Sequence, residues 1–199
     1  MNRHALALAT VAALLATSAC SKSDGNGTTD AQTPAAEKVA GDKTIAAGLP
    51  ADSKFMAAAK AAGLDQTLAG PGPYTVLVPD DAAITGAGDA FNTDPSNRAQ
   101  LTGAITNLIL PGTVLVEDIN RAIDKGKGKD VLATVGGGTL TATKEGGRTV
   151  LTDSTGRKAT ISKGDELFSN GVVHRIDAVL MPSKQAAANT PAVGDKAGQ

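Results

Sequence analysis

The chain from residue 43 onwards opens with apolar residues at helical spacing. Phe55, Ala58, Ala59 and Ala62 fall on one face of a helix, and Ser53 just before them is a residue type that caps helix N-termini. The pattern therefore predicts short helices between residues 43 and 70, with their apolar faces turned towards a core.

A buried strand is predicted next. The run Tyr74–Val78 is rich in β-branched residues, and Pro79 ends it. Asp80 and Asp81 follow and are predicted to cap a helix that begins at this point. A further helix is predicted over residues 94–110, where it ends before a Pro-Gly pair.

In the second half of the chain, the period of the apolar residues drops to two. Glycine-containing turns separate three alternating segments: Leu140–Ala142, Thr149–Thr152 and Ala159–Ile161. A last strand is predicted over residues 171–181, with these residues on one face: His174, Ile176, Ala178 and Leu180. The pattern predicts an antiparallel meander.

Residues 1–19 have the layout of a secretory signal peptide, with Arg3 before an apolar run and small residues at its end. The run is too short to span a bilayer. Cys20, the only cysteine of the chain, follows Thr-Ser-Ala in a pattern that resembles the lipobox of bacterial lipoproteins, which implies acylation of its sulfur. The alternative is an ordinary cleavage near Ala19 that leaves a free thiol.

The remaining chain divides by composition. Residues 20–42 hold the lipidated cysteine and then a polar, aperiodic stretch, which predicts a flexible tether. Residues 43–182 are long enough to form one domain with a single core. Residues 183–199 are again polar and small, and we expect a disordered tail.

Charge and aromatic content exclude several classes of function. The chain has 19 Lys and Arg against 20 Asp and Glu, so it lacks the cationic excess that would neutralise a run of phosphates. One Tyr, three Phe and no Trp are too few for a platform that stacks bases. We therefore expect no nucleic acid partner, and the core must be aliphatic.

Three stretches, taken in order, resemble the fasciclin domain family: residues 44–84, 108–114 and 169–182. The resemblance implies an α+β fold, a β-sandwich or wedge of about seven strands with several short helices. Members of the family that contact integrins commonly carry Tyr-His where this chain has Asn107-Leu108. Integrin recognition is therefore not implied for this chain.

His174 is the only histidine that remains after removal of the signal peptide. One imidazole without a cysteine partner cannot build a His-rich zinc site, and its apolar neighbours indicate a histidine of the core whose ring nitrogens bond backbone or a carboxylate. The family resembled carries a histidine in the same stretch and is not known as an enzyme family. We expect no catalytic residue, no metal and no cofactor.

Other polar groups have structural interpretations. Asp80-Asp81, Glu117-Asp118 and Asp165-Glu166 are expected to cap helices rather than to act as acid and base. Asp177 is expected to form a surface ion pair with Arg175. A solvated loop is expected at three lysines, whose neighbouring glycines do not match a phosphate-binding loop: Lys125, Lys127 and Lys129.

These features predict a non-catalytic adhesion or interaction module, a monomer held by the Cys20 lipid at the cell envelope, and at the outer membrane if the cell is Gram-negative. The partner would be an unidentified protein or glycan at the cell surface. Two alternatives remain open. A carrier of a small apolar ligand would need a concave apolar pocket, and a secreted hydrolase would have to be built around His174.

Overall fold

The computed structural model describes residues 41–182. Six α-helices and two 3₁₀ turns alternate with strands in the first two-thirds of this range. They are α1 (Ile45–Gly48), α2 (Lys54–Ala62), α3 (Asp65–Ala69), α4 (Asp81–Gly86), the turns Gly88–Phe91 and Pro95–Asn97, α5 (Arg98–Thr106) and α6 (Val116–Lys125). None of the helices in residues 41–182 has the length and apolar character needed to cross a membrane.

Seven strands form one mixed sheet. They are β1 (Tyr74–Pro79), β2 (Ile109–Pro111), β3 (Lys129–Ala133), β4 (Thr139–Glu145), β5 (Arg148–Thr152), β6 (Lys158–Phe168) and β7 (Gly171–Ile176). Their order is β2-β1-β7-β6-β5-β4-β3, and every pair is antiparallel except β1 with β7. The sheet curls into a nearly closed wedge, which confirms the α+β class with about seven strands and several short helices.

Helix α2 begins and ends where its residue types predict. The hydroxyl of Ser53 accepts a hydrogen bond from the backbone N–H of Met56 at 3.3 Å, as expected of an N-cap. Gly63 ends the helix in a left-handed conformation, with φ of 77°. The predicted apolar face is buried, with Phe55 fully inaccessible to solvent.

The predicted helix over residues 94–110 is wrong in its second part. Helix α5 ends at Thr106, and Ile109–Pro111 form strand β2, which pairs with β1 so that Ile109 faces Val76. Three apolar residues in a row suit either structure. The open edge of β1 offers them a ladder of backbone hydrogen bonds, and this tertiary contact decides for the strand.

The predicted meander is confirmed, with three differences. Strand β3 was not predicted, and Lys129, expected in a loop, is its first residue. Strand β6 is longer than its alternating core and continues to Phe168 through two irregularities in its register with β7. Strand β7 ends at Ile176, although Leu180 beyond it is still buried.

The core lies on both faces of the β1–β7 part of the sheet. Consecutive residues along β1 and β7 are buried, as Val76 and Leu77 are. Helix α1 packs on β7, α2 and α3 pack on each other, and α6 packs on β3, β4 and β5. One continuous apolar cluster joins these layers and includes Phe55 and Ile119. The aliphatic core that the composition predicts is confirmed.

Candidate functional site

A cleft of about 290 Å³ opens at the carboxyl end of β1. It lies between the end of the strand and the N-terminus of α2, with Val78 and Phe55 among its lining residues. Its polar lining consists of these side chains: Asp52, Ser53, Asp80, Asp81 and Arg175. Strand, helix cap and turn thus bring together lining residues that are up to 125 positions apart in the sequence, from Pro50 to Arg175.

The turn after β1 places the carboxylates. The backbone N–H of Asp80 donates to the carbonyl of Ile176 at 3.1 Å, so the chain leaves the sheet beside the end of β7. The side chain of Asp80 makes no capping hydrogen bond to α4. Asp81 accepts from the backbone N–H of Lys54 at 3.0 Å and therefore caps α2. The prediction that Asp80 and Asp81 cap α4 is therefore wrong: Asp80 forms no capping bond, and Asp81 caps α2 instead.

The only cation in the cleft lining, Arg175, is bound to a carboxylate outside the lining. Its Nε lies 3.5 Å from Oε1 of Glu166. Burial opposes the charge of Glu166, but Lys163 and Arg175 together lower the pKa of its carboxyl. The predicted pair of Arg175 with Asp177 is therefore wrong; Asp177 accepts from the backbone N–H of Thr160 at 2.7 Å.

The cleft has the groups to receive a cationic side chain, but it has no nucleophile beside a base. The hydroxyl of Ser53 donates to the carbonyl of Pro50 and accepts from Met56, so both of its roles are taken. Within residues 41–182, no three His, Cys, Asp or Glu side chains are placed to hold a metal ion.

His174 lies in β7 and is fully buried. Its Nδ1 accepts from the backbone N–H of Asp165 at 3.0 Å, and its Nε2 lies 2.8 Å from the carbonyl oxygen of Val114. A backbone N–H can only donate and a carbonyl can only accept, so the bonds require the neutral ring with its proton on Nε2. The interpretation as a core histidine bonded to backbone agrees with this geometry.

Burial lowers the pKa of His174, and the carbonyl of Val114 and the charges of Asp165 and Glu166 oppose the shift only in part. Protonation would also place a second N–H against the N–H of Asp165. Because the folded-state pKa is lowered, the unfolded chain binds the proton first, and stability is lost as the pH falls below the ordinary value of 6.5.

We therefore expect the free energy of unfolding to fall between pH 6.5 and pH 5, with a slope of at most about 1.4 kcal/mol per pH unit. Urea denaturation at a series of pH values measures the slope, and His174→Gln should remove it because glutamine does not titrate. The other charged groups at this position are Asp165, whose Oδ1 is 3.9 Å from Nδ1, and Glu166, which Lys163 and Arg175 neutralise. An unchanged slope in the glutamine variant would show that groups other than His174 cause the pH dependence of stability.

Carboxylates do cap α6, but one of them comes from a distant strand. Asp118, in the first turn, accepts from the backbone N–H of Leu115 at 3.3 Å. Asp165, in β6, accepts from the backbone N–H of Val116 at 2.9 Å. The prediction that Asp165 caps a helix following it is wrong, because Asp165 lies within β6 and the next element is strand β7. Glu117 binds the guanidinium of Arg121 instead of a backbone group.

Two buried polar side chains that the sequence did not reveal hold the two ends of the described domain to the sheet. Asn170, 7% exposed, forms hydrogen bonds with the backbone of Ile45, Leu68 and Gly70. Asp153, 5% exposed, accepts from the backbone N–H groups of Thr155, Arg157 and Met181. The sequences Asn170-Gly171 and Asp153–Gly156 are typical of turns, but this local pattern does not predict the long-range hydrogen bonds.

Cys20, the candidate lipidation site, lies outside the described residues, as do the expected signal peptide and the tail over residues 183–199. The expected acylation, tether and anchoring therefore remain predictions.

Comparison with known proteins gives one family. The model of the fasciclin domain matches residues 50–182. Protein sll1483 of Synechocystis sp. is 30% identical over 141 residues, which cover 69% of this chain and 71% of that protein. A solved FAS1 domain pair from the insect cell adhesion molecule Fasciclin I matches with a TM-score of 0.61 at 16% identity, over 73% of this chain and 52% of the other.

At 16% identity, the likeness to the insect structure shows the fold, and the chain spans about half of that domain pair. The family model, in contrast, covers more than half of this chain. The seven strands, most of the short helices and the stretches over residues 44–84 and 169–182 lie within or beside the matched region. On this evidence the chain belongs to the fasciclin domain family.

Proposed function

We propose that the protein is an adhesion or interaction module that displays one fasciclin domain at the cell envelope and does no catalysis. The observation that carries the proposal is the match of the fasciclin domain over residues 50–182, a type of domain that also occurs in an insect cell adhesion molecule. The cleft at the end of β1 supports it, because its carboxylates suit recognition of a partner's cationic groups.

The anchor in this proposal is Cys20, acylated after removal of residues 1–19. A flexible tether of the length of residues 20–42 reaches roughly 25 Å on average, from about 5 to 6 Å times the square root of its length. Several acyl chains hold a protein on a membrane much more firmly than one chain does. Ser21 after the cysteine favours the outer membrane in a Gram-negative cell.

Surface display makes weak contacts sufficient. Many tethered copies that face the same surface bind with high effective concentration, so each domain needs only modest affinity for its partner. The partner in this proposal is a protein or glycan at the cell surface. Asn107, at the position where integrin-binding members commonly carry tyrosine, is 1% exposed, so we do not propose an integrin partner.

The two alternatives receive less support from the site. A hydrolase would need His174 as a base, but both ring nitrogens are bonded to backbone groups of Asp165 and Val114. We expect His174→Ala to lower the melting temperature with no turnover to lose. A carrier of apolar ligands would need an apolar pocket, whereas the cleft of about 290 Å³ is half-open and lined by carboxylates.

Acylation is tested by metabolic labelling with a fatty-acid analogue in cells that produce the full chain. We expect strong labelling of the wild-type protein and complete loss of label in Cys20→Ser, because no other cysteine is present. A matched control, Ser21→Ala, should keep the label. Equal labelling of the cysteine variant would disprove acylation at this thiol.

Interaction is tested by retention of the full chain on envelope and host-surface fractions. The proposal expects saturable retention that a proteinase or glycosidase treatment of the fraction removes, which also tells protein from glycan partners. Retention of the wild-type chain no higher than that of an unrelated lipoprotein would contradict the adhesion function.

A further inference from the structure

Strand β3 is an edge of the sheet, and half of its backbone groups face outwards. The N–H of Thr134 donates to the carbonyl of Gly138 at 2.9 Å, so this pair of the β3–β4 hairpin is hydrogen-bonded. Hydrogen-bonded and non-bonded pairs alternate along an antiparallel ladder. In the register that pairs Val131 with Thr141, the backbone groups of these residues therefore point away from β4: Lys129, Val131 and Ala133.

The edge is covered at both of its ends and open between them. At the start of β3, a Cβ on Gly126 would lie 2.1 Å from the carbonyl oxygen of Lys129, so Gly126 covers that oxygen. At the other end, two hydrogen bonds close the wedge. The N–H of Val135 donates to the carbonyl of Ile109 at 2.8 Å, and the N–H of Gly136 donates to the carbonyl of Thr106 at 3.0 Å. Pro111, the last residue of β2, has no N–H and therefore cannot donate a backbone hydrogen bond to β3. Outside the β3–β4 ladder, no hydrogen bond among residues 41–182 involves the backbone of Val131 or Ala133.

The exposed large apolar side chains of residues 41–182 lie on this same edge. Val131 is 59% exposed and Val135 is 49% exposed, while the remaining large apolar residues of the described chain are buried or half-buried. Both valines alternate with residues that face the interior, as Leu132 does. A strand added to the edge would cover Val131 and gain backbone hydrogen bonds at the same time.

A group of cations lies at the start of β3, beside the open part of the edge. Lys125, Lys127 and Lys129 are exposed, and none of them has an ion pair within residues 41–182. The nearby Lys144, in contrast, is held by Asp124 at 2.6 Å. Anions placed beside the edge would therefore find unsatisfied positive charge.

We propose that the open edge of β3 binds an extended acidic segment of a partner protein, which pairs with Val131–Ala133 as a short eighth strand and places its carboxylates against the three lysines. The inference rests on the proposed function as an interaction module and names the chemistry of one partner surface. Only a polypeptide can match the alternating N–H and carbonyl groups of the edge; a lipid surface or an acidic polysaccharide would use the lysines alone.

The test titrates the full chain, in detergent, with a blocked seven-residue peptide of alternating valine and glutamate and follows the backbone amides by NMR. The expected result is a set of shifts, and slower hydrogen exchange, centred on the amides of Val131 and Ala133. Two control peptides serve for comparison: one with lysine in place of glutamate, and one N-methylated on alternate amides, which cannot pair. Each should bind at least about tenfold more weakly.

Variants of the chain separate the two parts of the site. Val131→Pro removes an outward N–H that the fold does not use, so it should weaken the acidic peptide about tenfold or more and leave the melting temperature nearly unchanged. If that variant unfolds, the comparison of the plain and N-methylated peptides on the wild-type chain still tests backbone pairing. Replacing Lys125, Lys127 and Lys129 together with glutamine should also weaken binding about tenfold. The same change at three cations elsewhere, none in an ion pair, should not: Lys43, Lys60 and Arg157.

Several outcomes would overturn the proposal. Equal binding of the N-methylated peptide, or shifts centred on the cleft at Asp80, would exclude strand pairing at β3. Binding of heparin as strong as that of the peptide, with the same lysine dependence, would make the site a general polyanion surface. Dissociation of a dimer by Val131→Pro would show the edge to be an interface between copies of the chain.

Failure of this proposal is distinguishable from failure of the adhesion function. If the peptide does not bind but the full chain is retained on surface fractions, only the β3 site is wrong. If the peptide binds at β3 but retention is absent, the edge is a peptide site and the adhesion function is wrong.

Discussion

Replacement of Asn170 with alanine is expected to destabilise the domain by roughly 3 to 5 kcal/mol, because it leaves several buried backbone groups without a partner. The side-chain Oδ1 accepts from the N–H of Ile45 at 2.8 Å, and Nδ2 donates to the carbonyls of Leu68 and Gly70 at 2.9 and 2.8 Å. One side chain thus fastens α1 and the end of α3 to the residue before β7.

Thermal and urea denaturation of the wild type and the variant measure this effect, and the melting temperature should fall by ~10 °C or more. Asn97→Ala is the matched control. Its amide also donates to two carbonyls, those of Asp89 and Asn92, but in an exposed position where water can replace it. We expect Asn97→Ala to lower the free energy of unfolding by about 1 kcal/mol or less. Equal losses in the two variants would show that burial of the Asn170 bonds is not what stabilises the helices.

Gly171→Ala is also expected to destabilise the domain, for a steric reason. A Cβ on this residue would lie 1.9 Å from the carbonyl oxygen of Tyr74 and 2.8 Å from its carbonyl carbon, both in the neighbouring strand β1. The backbone φ of 154° is also unfavourable for other residues. Strands β1 and β7 would have to move apart at Tyr74, and overpacking of this kind costs about 1 to 3 kcal/mol or more.

The control for this substitution is Gly86→Ala, in α4. A Cβ there meets nothing within 4 Å, and the residue lies in a helix, so alanine should raise the stability by roughly 0.5 to 1 kcal/mol. Denaturation curves of the two alanine variants should therefore shift in opposite directions. A neutral Gly171→Ala would mean that β1 and β7 tolerate wider spacing than this packing allows.

The outcome for α5 and β2 shows where sequence reasoning reaches its limit. Residues 98–106 have helical spacing and form a helix, but the apolar run Leu108–Leu110 carries no period of its own and suits a helix or a strand. Its structure depends on the free edge of β1, which is contributed by residues more than 30 positions earlier. Strand β3 was not predicted, because its residues do not alternate between apolar and polar types: Lys129 and Val131 are both exposed on the same face.

The polar residues show the same division. Ser53 caps the helix that follows it, because a cap acts within one turn and both partners are in the local sequence. Asp81 and Asp165 also cap helices, but those helices are brought to them by the fold: the partner of Asp81 is Lys54, and the partner of Asp165 is Val116. The residue type indicated the role, and the tertiary contact chose the helix.

The sequence alone determined what depends on local order along the chain. Helix faces, alternating strands, turns at glycine and the motifs of the fasciclin family are all short-range patterns, and they were enough for the fold class and the burial of His174. Only the tertiary structure decided which groups from distant segments meet: the cleft at Asp80, the bonds of Asn170 and the open edge of β3. Such contacts depend on strand order and register, which follow from the packing of the whole domain and have no signature in any one segment.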